Sequence, residues 1–369
     1  MIKLREYLKS VVATYKTAKS IHLQVCIGNV SADMDSIIGS LLLSYFLTQS
    51  GKLTIPHINC KKEQLSMRLE TYKLLIDNDL AFNLIFHDAV EYKAFQQNNK
   101  VGVILYDHNF PDTNQQYLIK NVGMIVDHHA GYMNLKCQEK HIILCGSCTS
   151  LVVNMFQALK DWDKDLALLA ISPILIDCNN FKKRLKDLKW NDNDSKACNF
   201  LLKFLPGFDN DKYYHLLNKK KHDVKSNLAL GVDNLLIKDY KNYSITEKFK
   251  YGSSVISMKP KTLLKQFGTV GVHNSMKNII ITKSLNFYIL NSLCVDSHRR
   301  KRELICMSNS ESQLDKFSEL LLENTDACLS VIMPPFMNCR MFKMKNKAIT
   351  RKILEPRLHE IFKQVTLVI

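Results

Sequence analysis

Glycine and proline are scarce in this chain, 12 and 8 among 369 residues, and no two glycines are adjacent. That composition leaves no flexible linker or low-complexity tract, and no repeat shows at solenoid periods. Apolar runs stop well short of the roughly 18 residues that a membrane-spanning helix needs, so no membrane partner is expected. The charged-then-apolar plan of an export signal is missing too. Lys3, Arg5, Glu6 and Lys9 instead interleave with Leu4, Leu8, Val11 and Val12 as one amphipathic helix. The cysteines are odd in number, eleven, and irregularly spaced. This fits reduced thiols in the cytoplasm; the basic, acid-poor first helix keeps the mitochondrial matrix as an alternative. Cys145 and Cys148 form a solitary C-x-x-C with no second pair to complete a zinc site, so packing is ranked above redox chemistry. The glycine-rich P-loop, the dinucleotide fingerprint, H-E-x-x-H and G-x-S-x-G are all absent.

What is present in excess is positive charge: 51 Lys and Arg against 35 Asp and Glu, a net +16. Such a field draws polyanions, whether nucleic acid, an anionic membrane surface or phosphate compounds, and names none of them. The length suggests about two domains. In the first half, strands alternate with helices, the pattern of a doubly wound, mainly parallel sheet. Strands are expected at Ile21–Gly28, Val101–Tyr106, Val122–Val126, His141–Leu144 and Leu168–Ile176, with helices over Ile37–Leu47 and from Leu151 to Leu159. The charged run Asn218 to His222 marks a solvated hinge, giving domains at 1–222 and 223–369. The second is expected to be smaller and α/β with a mixed sheet. It holds strands at Ile279–Leu293, Leu304–Met307 and Cys328–Met333, a helix at Phe317–Leu322, and a terminal helix at Leu358–Val365 with Pro356 in its first turn. The active site is expected in the cleft between the domains.

Chemistry gathers at the expected strand ends. Asp127-His128-His129 follows one apolar run, and Asn29-x-x-x-Asp33-Met34-Asp35, Asp107-His108-Asn109 and Asp177 follow others. In an open parallel sheet, ligands collect beyond the carboxyl ends of the strands. One aspartate there is an ordinary helix cap. Four clusters of carboxylate and imidazole on one edge would repel one another, and cations remove that problem. Asp33 and Asp35, two residues apart, suit two metals better than one, and Asp107 is the candidate bridge. Mixed Asp/His ligation favours Mn²⁺, Mg²⁺ or Co²⁺. Two such ions activate a water and stabilise an in-line displacement at phosphorus. The residues therefore point to a metal-dependent phosphoester or phosphoanhydride hydrolase.

In this order, Asn29-Val30-Ser31-Ala32-Asp33-Met34-Asp35-Ser36, Asp107-His108-Asn109, Asp127-His128-His129 and Asp177 resemble the motifs of the DHH phosphoesterases. Asp239-Tyr240-Lys241-Asn242-Tyr243, Ser297-His298-Arg299 and Thr350-Arg351-Lys352 resemble basic motifs of the second domain shared by family II inorganic pyrophosphatases and fungal-type exopolyphosphatases. The N-x-S-A-D-M-D-S form and Gly146-Ser147-Cys148 are most similar to the exopolyphosphatases; pyrophosphatases usually carry His at the place of Asn29 and Pro at that of Ala32. The nuclease branch has a glycine-rich motif in its second domain, and this chain lacks Gly-Gly, so nucleic acid is not the expected partner.

The resemblance implies removal of terminal phosphate from linear inorganic polyphosphate, with release of orthophosphate. Asp33, Asp35, Asp107, His128 and Asp177 would hold two divalent ions, and His129 would contact the terminal phosphate. His108 would orient or protonate the leaving oxygen, or else support a ligand carboxylate. Lys241, His298, Arg299, Arg351 and Lys352 would bind phosphate oxygens; among Arg299, Arg300 and Arg302 the choice stays open. The alternatives are a manganese-dependent pyrophosphatase, a nuclease or phosphodiesterase on the same metals, and a catalytically idle polyanion-binding scaffold. A monomer is expected.

Overall fold

The computed structural model describes residues 2–131, 135–296, 299–323, 329–346, 349 and 351–366. The chain divides into two compact units, Met1–Lys221 and His222–Ile369.

The first unit opens with α1 (Ile2–Thr17), whose Leu4, Tyr7, Leu8 and Val11 are buried, as the i, i+3, i+4, i+7 spacing requires. It continues through β1 (His22–Ile27), α2 (Met34–Gln49), β2 (Thr54–Ile58), α3 (Leu69–Asp77), β3 (Ile85–Phe86), α4 (Ala89–Asn98), β4 (Lys100–Tyr106), β5 (Val122–Asp127) and β6 (Glu139–Ile142). Helices α5 (Cys148–Phe156), α6 (Lys164–Asp177), α7 (Asp192–Leu202) and α8 (Asn210–Lys221) complete it. Its six strands lie in the order β3-β2-β1-β4-β5-β6 and every pairing is parallel. The order reverses between β1 and β4, so the loops after those two strands part there and open a crevice. Helix α2 is buried continuously from Met34 to Leu47, which explains its lack of a polar face.

The second unit holds α9 (Val224–Leu228), α10 (Val232–Ile237), β7 (Tyr240–Ser244), β8 (Lys250–Ile256), α11 (Pro260–Thr282), β9 (Phe287–Asp296) and β10 (Arg299–Ser308). It ends with α12 (Glu311–Glu323), β11 (Leu329–Ile332), β12 (Cys339–Met344) and α13 (Arg351–Thr366). Its sheet runs β11-β12-β10-β9-β8-β7 and is mixed: β8 and β9 are parallel, and the other neighbours are antiparallel. One core gathers Phe249, Phe287, Phe317 and Phe362; the other gathers Leu263, Met276, Tyr288 and Ile305.

Several local expectations give way. Leu168–Ile176 is no strand but the body of α6, started by Asp163, whose carboxylate accepts the Leu166 N–H. A fully buried helix and a fully buried strand both read as unbroken apolar runs. Asp177 therefore ends a helix. Ile279–Thr282 likewise finishes α11, and a turn through Ser284 at φ 51° precedes β9. The charged run Asn218 to His222 closes α8, where its lysines complement the negative end of the helix dipole, and the division between the two units falls within it, between Lys221 and His222. Helix α13 already starts at Arg351, so Pro356 lies inside it rather than in its first turn.

Candidate metal and phosphate site

Three loops of the first unit meet at the β1/β4 reversal. After β1, the Asn29 N–H donates to Ser36 Oγ (2.8 Å), and Asn29 Oδ1 accepts the Ala32 N–H (3.1 Å). These bonds fold the loop onto the start of α2, where Asp33 is the N-cap and accepts the Ser36 N–H at 3.1 Å. Buried Arg68 grips the loop from the other side, donating Nε to the Ser31 carbonyl at 2.9 Å. After β4, Asp107 takes a left-handed conformation (φ 61°), which aspartate tolerates better than most residues. Its Oδ2 accepts Asn29 Nδ2 at 2.6 Å. Both ends of the Asn29 amide are thus engaged in shaping the loop and aiming Asp107.

Asp107 Oδ1 faces the imidazoles that follow β5, 3.0 Å from His128 Nε2 and 3.7 Å from His129 Nδ1. The ligand atoms of Asp107, His128 and His129 all lie within 4.8 Å of one another. Asp127 is fully buried and acts on the motif from within. Its Oδ1 accepts the His128 N–H and His129 Nδ1, both at 2.8 Å, and its Oδ2 accepts Asn109 Nδ2 at 2.6 Å. His129 is thereby locked with its Nδ1 turned inward.

Asp35 enters from α2. Its Oδ1 accepts Ser147 Oγ (2.7 Å), the Thr149 N–H (2.9 Å) and Thr149 Oγ1 (2.7 Å), while Oδ2 accepts the Cys148 N–H (2.7 Å). Oδ2 is also the oxygen near His128, 3.8 Å from Nε2.

Two buried thiols mark out the surroundings. Burial pushes the Cys148 thiol well up, with Asp107, Asp35 and Asp127 adding to the effect. Burial does the same to Cys178, aided by Asp194, Asp177, Cys145 and Asp35. No ligand group other than Asp107, His128 and His129 forms among the described residues. Cys145 and Cys148 are both thiols; Cys145 is half-buried and its Sγ donates to the Ser147 carbonyl.

His108 Nδ1 lies 2.8 Å from the Tyr106 carbonyl, so Nδ1 carries a proton and Nε2 would have to be charged to donate another.

In the second unit, Lys241 lies on β7 opposite Ser253. Arg351 is bound to Asp239, reaching its carbonyl at 2.6 Å and Oδ1 at 2.7 Å, which offsets a cation placed at the wrong end of a helix. Close to Arg351 and Lys241 stands Glu355, whose carboxyl burial pushes upward and whose Oε2 accepts Tyr251 Oη at 3.0 Å. Arg299 is paired in register with Asp296, and Lys352 sits on α13; neither side chain is described, and His298 lies outside the described residues.

The donor set fits a divalent cation: a buried carboxylate oxygen beside imidazole nitrogens, with a second carboxylate a few ångströms away, suits Mn²⁺ or Mg²⁺ better than a thiolate-selecting ion. Sequence reasoning missed Arg68, because its partner is a backbone carbonyl. It also missed Asp194, whose only sequence signal is the capping-box spacing Asn191-x-x-Asp194.

No family model matches the chain. It is 27% identical over 388 aligned positions to a Schizosaccharomyces pombe protein provisionally named an exopolyphosphatase, spanning 98% of this chain and 97% of that one. It is 24% identical to exopolyphosphatase PRUNE1 of Rattus norvegicus, spanning 97% of this chain and 79% of the relative. Among solved structures, a Methanococcus jannaschii protein provisionally named a family II inorganic pyrophosphatase superposes with a TM-score of 0.63 at 17% identity, covering 93% of this chain and 99% of that one. The two-unit fold described above is thus shared with that structure. No helix among the described residues is long and apolar enough to cross a membrane.

Proposed function

We propose that the chain is a DHH-type, exopolyphosphatase-like phosphoesterase that removes terminal orthophosphate from linear inorganic polyphosphate with the aid of divalent cations. The observation that carries this is the convergence of Asp107 Oδ1 on His128 Nε2 and His129 Nδ1 at the strand-order reversal.

Asp107, His128 and Oδ2 of Asp35 would hold Mn²⁺ or Mg²⁺, with Asp33 and Asp177 as further carboxylates and two ions in all. The ions supply Lewis acidity toward phosphoryl oxygens and lower the pKa of water. Asp127 accepts from Nδ1 and so holds His129 in one orientation; Nε2 on the opposite ring edge, with the ring protonated, would donate to the terminal phosphate. His108 Nε2, charged, would donate to the leaving oxygen. Lys241, Arg299, Arg351 and Lys352 would bind the chain, and the +16 net charge would concentrate it. Arg351 would have to exchange part of its Asp239 pairing for phosphate. The engaged amide of Asn29 supports the exopolyphosphatase reading over a pyrophosphatase, whose usual histidine there would be a ligand.

The test is phosphate release by the purified chain with Mn²⁺ or Mg²⁺, offered long-chain polyphosphate, pyrophosphate or a short oligonucleotide. Orthophosphate from polyphosphate is expected. Release from pyrophosphate alone, cleavage of the oligonucleotide alone, or no turnover of any of them overturns the reading.

A further inference from the structure

The loop from Gly146 to Ser150 carries two buried carboxylates at one helix start. Four successive backbone N–H groups are divided between them in order. Those of Gly146 and Ser147 go to Asp194 (2.8 Å to Oδ2, 3.2 Å to Oδ1), and those of Cys148 and Thr149 go to Asp35 (2.7 and 2.9 Å). The hydroxyls follow the same division: Ser147 and Thr149 donate to Asp35, and Ser150 donates to Asp194, each at 2.7 Å. Asp194 also accepts the Asn191 N–H at 2.9 Å and is itself fully buried at the start of α7. Gly146 has no room for a side chain, because a Cβ would collide with the Lys189 carbonyl and crowd Cys178 Sγ and Asp194.

We propose that Asp194 is a positioning residue for Asp35: by pinning Gly146, Ser147 and Ser150, it holds the donors that orient the Asp35 carboxylate toward His128. This rests on the metal-dependent reading above. Among the described residues, the donors that fix Asp35 belong to residues 147–149, and Asp194 grips residues on both sides of that stretch. Without it, the loop can rotate as a unit, and Asp35 Oδ2 loses its direction before any ligand is removed. The chemistry is that of an outer partner of a metal ligand, one bond further out than usual.

The test is Mn²⁺ binding to the full chain, read from the free-ion signal in electron paramagnetic resonance, alongside the melting temperature. Asp194→Asn keeps the volume but sets an amide N–H₂ against backbone donors. Its dissociation constant for Mn²⁺ is expected to rise about 10–100-fold, the usual cost of losing an outer partner. Asp192→Asn, an exposed neighbour on the same helix, is expected to leave Mn²⁺ binding unchanged. A folded Asp194→Asn that melts earlier but binds Mn²⁺ like the wild type reduces Asp194 to a structural cap and overturns the proposal. If Asp194→Asn does not fold, Ser150→Ala decides, since it removes one bond to Asp194 without touching Asp35. A weaker shift in the same direction supports the proposal and an unchanged constant overturns it. A wild type that binds no divalent ion overturns the metal reading itself, and this proposal with it.

Discussion

Two histidine pairs stand on the same parallel sheet, and their neighbours give them opposite characters. His128 and His129 follow β5 with rings 4.5 Å apart and nearly perpendicular, and Asp107, Asp127 and Asp35 surround them. His57, on β2, meets His87, just after β3, through Nδ1 atoms 3.3 Å apart. Aromatic rings surround that second pair: Tyr15 edge-on to His57, Tyr117 stacked on His87 and bonded to its Nε2 at 2.7 Å, and Tyr92 against both. Imidazole beside carboxylate is a place for cations. Imidazole enclosed by tyrosine rings is held neutral, because the cost of burying a charge outweighs the pull of Asp88 beside His87. The side chain is the same in both places, and the electrostatics of its surroundings decide its use.

The largest effect should come from Asp107, whose Oδ1 stands beside both imidazoles of the acidic pair. Asp107→Ala is expected to cost more than about 100-fold in phosphate release and in Mn²⁺ affinity, beyond the 10–100-fold typical of an outer partner. His57→Gln, at the other pair, should leave Mn²⁺ affinity as it is. Parallel titrations of the two variants would break the comparison if they moved together. Asp127→Asn comes next. Its Oδ1 holds both the His128 N–H and His129 Nδ1, so the amide should cost about 10–100-fold in turnover while the protein still binds metal. Steady-state rates at saturating Mn²⁺ check this, and a variant with wild-type turnover would show that His129 needs no such orientation.

How far the site can be read from the chain depends on the kind of partner each residue uses. Asp127-His128-His129 and Asp107-His108-Asn109 are legible because each follows a β-run whose end a parallel sheet places at the ligand edge. The parallel first sheet follows from the alternation of strands and helices in the first half of the chain. Leu168–Ile176 misleads because burial on all sides erases the periodicity that separates helix from strand. Asp194 is hidden for another reason: besides the local Asn191 N–H and the Ser150 hydroxyl, its partners are the Gly146 and Ser147 backbone N–H groups almost fifty residues away, and backbone groups carry no sequence identity. Arg351 looks like an unattached cation beside Lys352, yet its partner Asp239 lies 112 positions earlier. Residue types announce chemistry; they do not announce which backbone atoms will meet them.

The aromatic pair offers the smallest effect and the sharpest contrast in sign. Burial lowers His87 from 6.5 to about 4 and holds His57 well below 6.5, with the neighbouring His87 adding to the latter. Among the described residues His57 Nε2 has no hydrogen-bond partner, so an N–H there would be buried without an acceptor. A folded-state pKa below the unfolded one means that the unfolded chain binds more protons between the two values. Stability from this pair is therefore complete above pH 6.5 and declines as pH falls from 6.5 toward 4, by up to about 1.4 kcal/mol per pH unit for each imidazole. Protonation also places two N–H donors face to face where one donor and one acceptor stood. Urea denaturation at pH 7, 6 and 5 measures the slope. His87→Gln should flatten it by about one imidazole's share, whatever the Mn²⁺ concentration. An unchanged slope in that variant would mean that acid acts elsewhere in the fold, and the aromatic pair would lose its claim to be the acid-sensitive one.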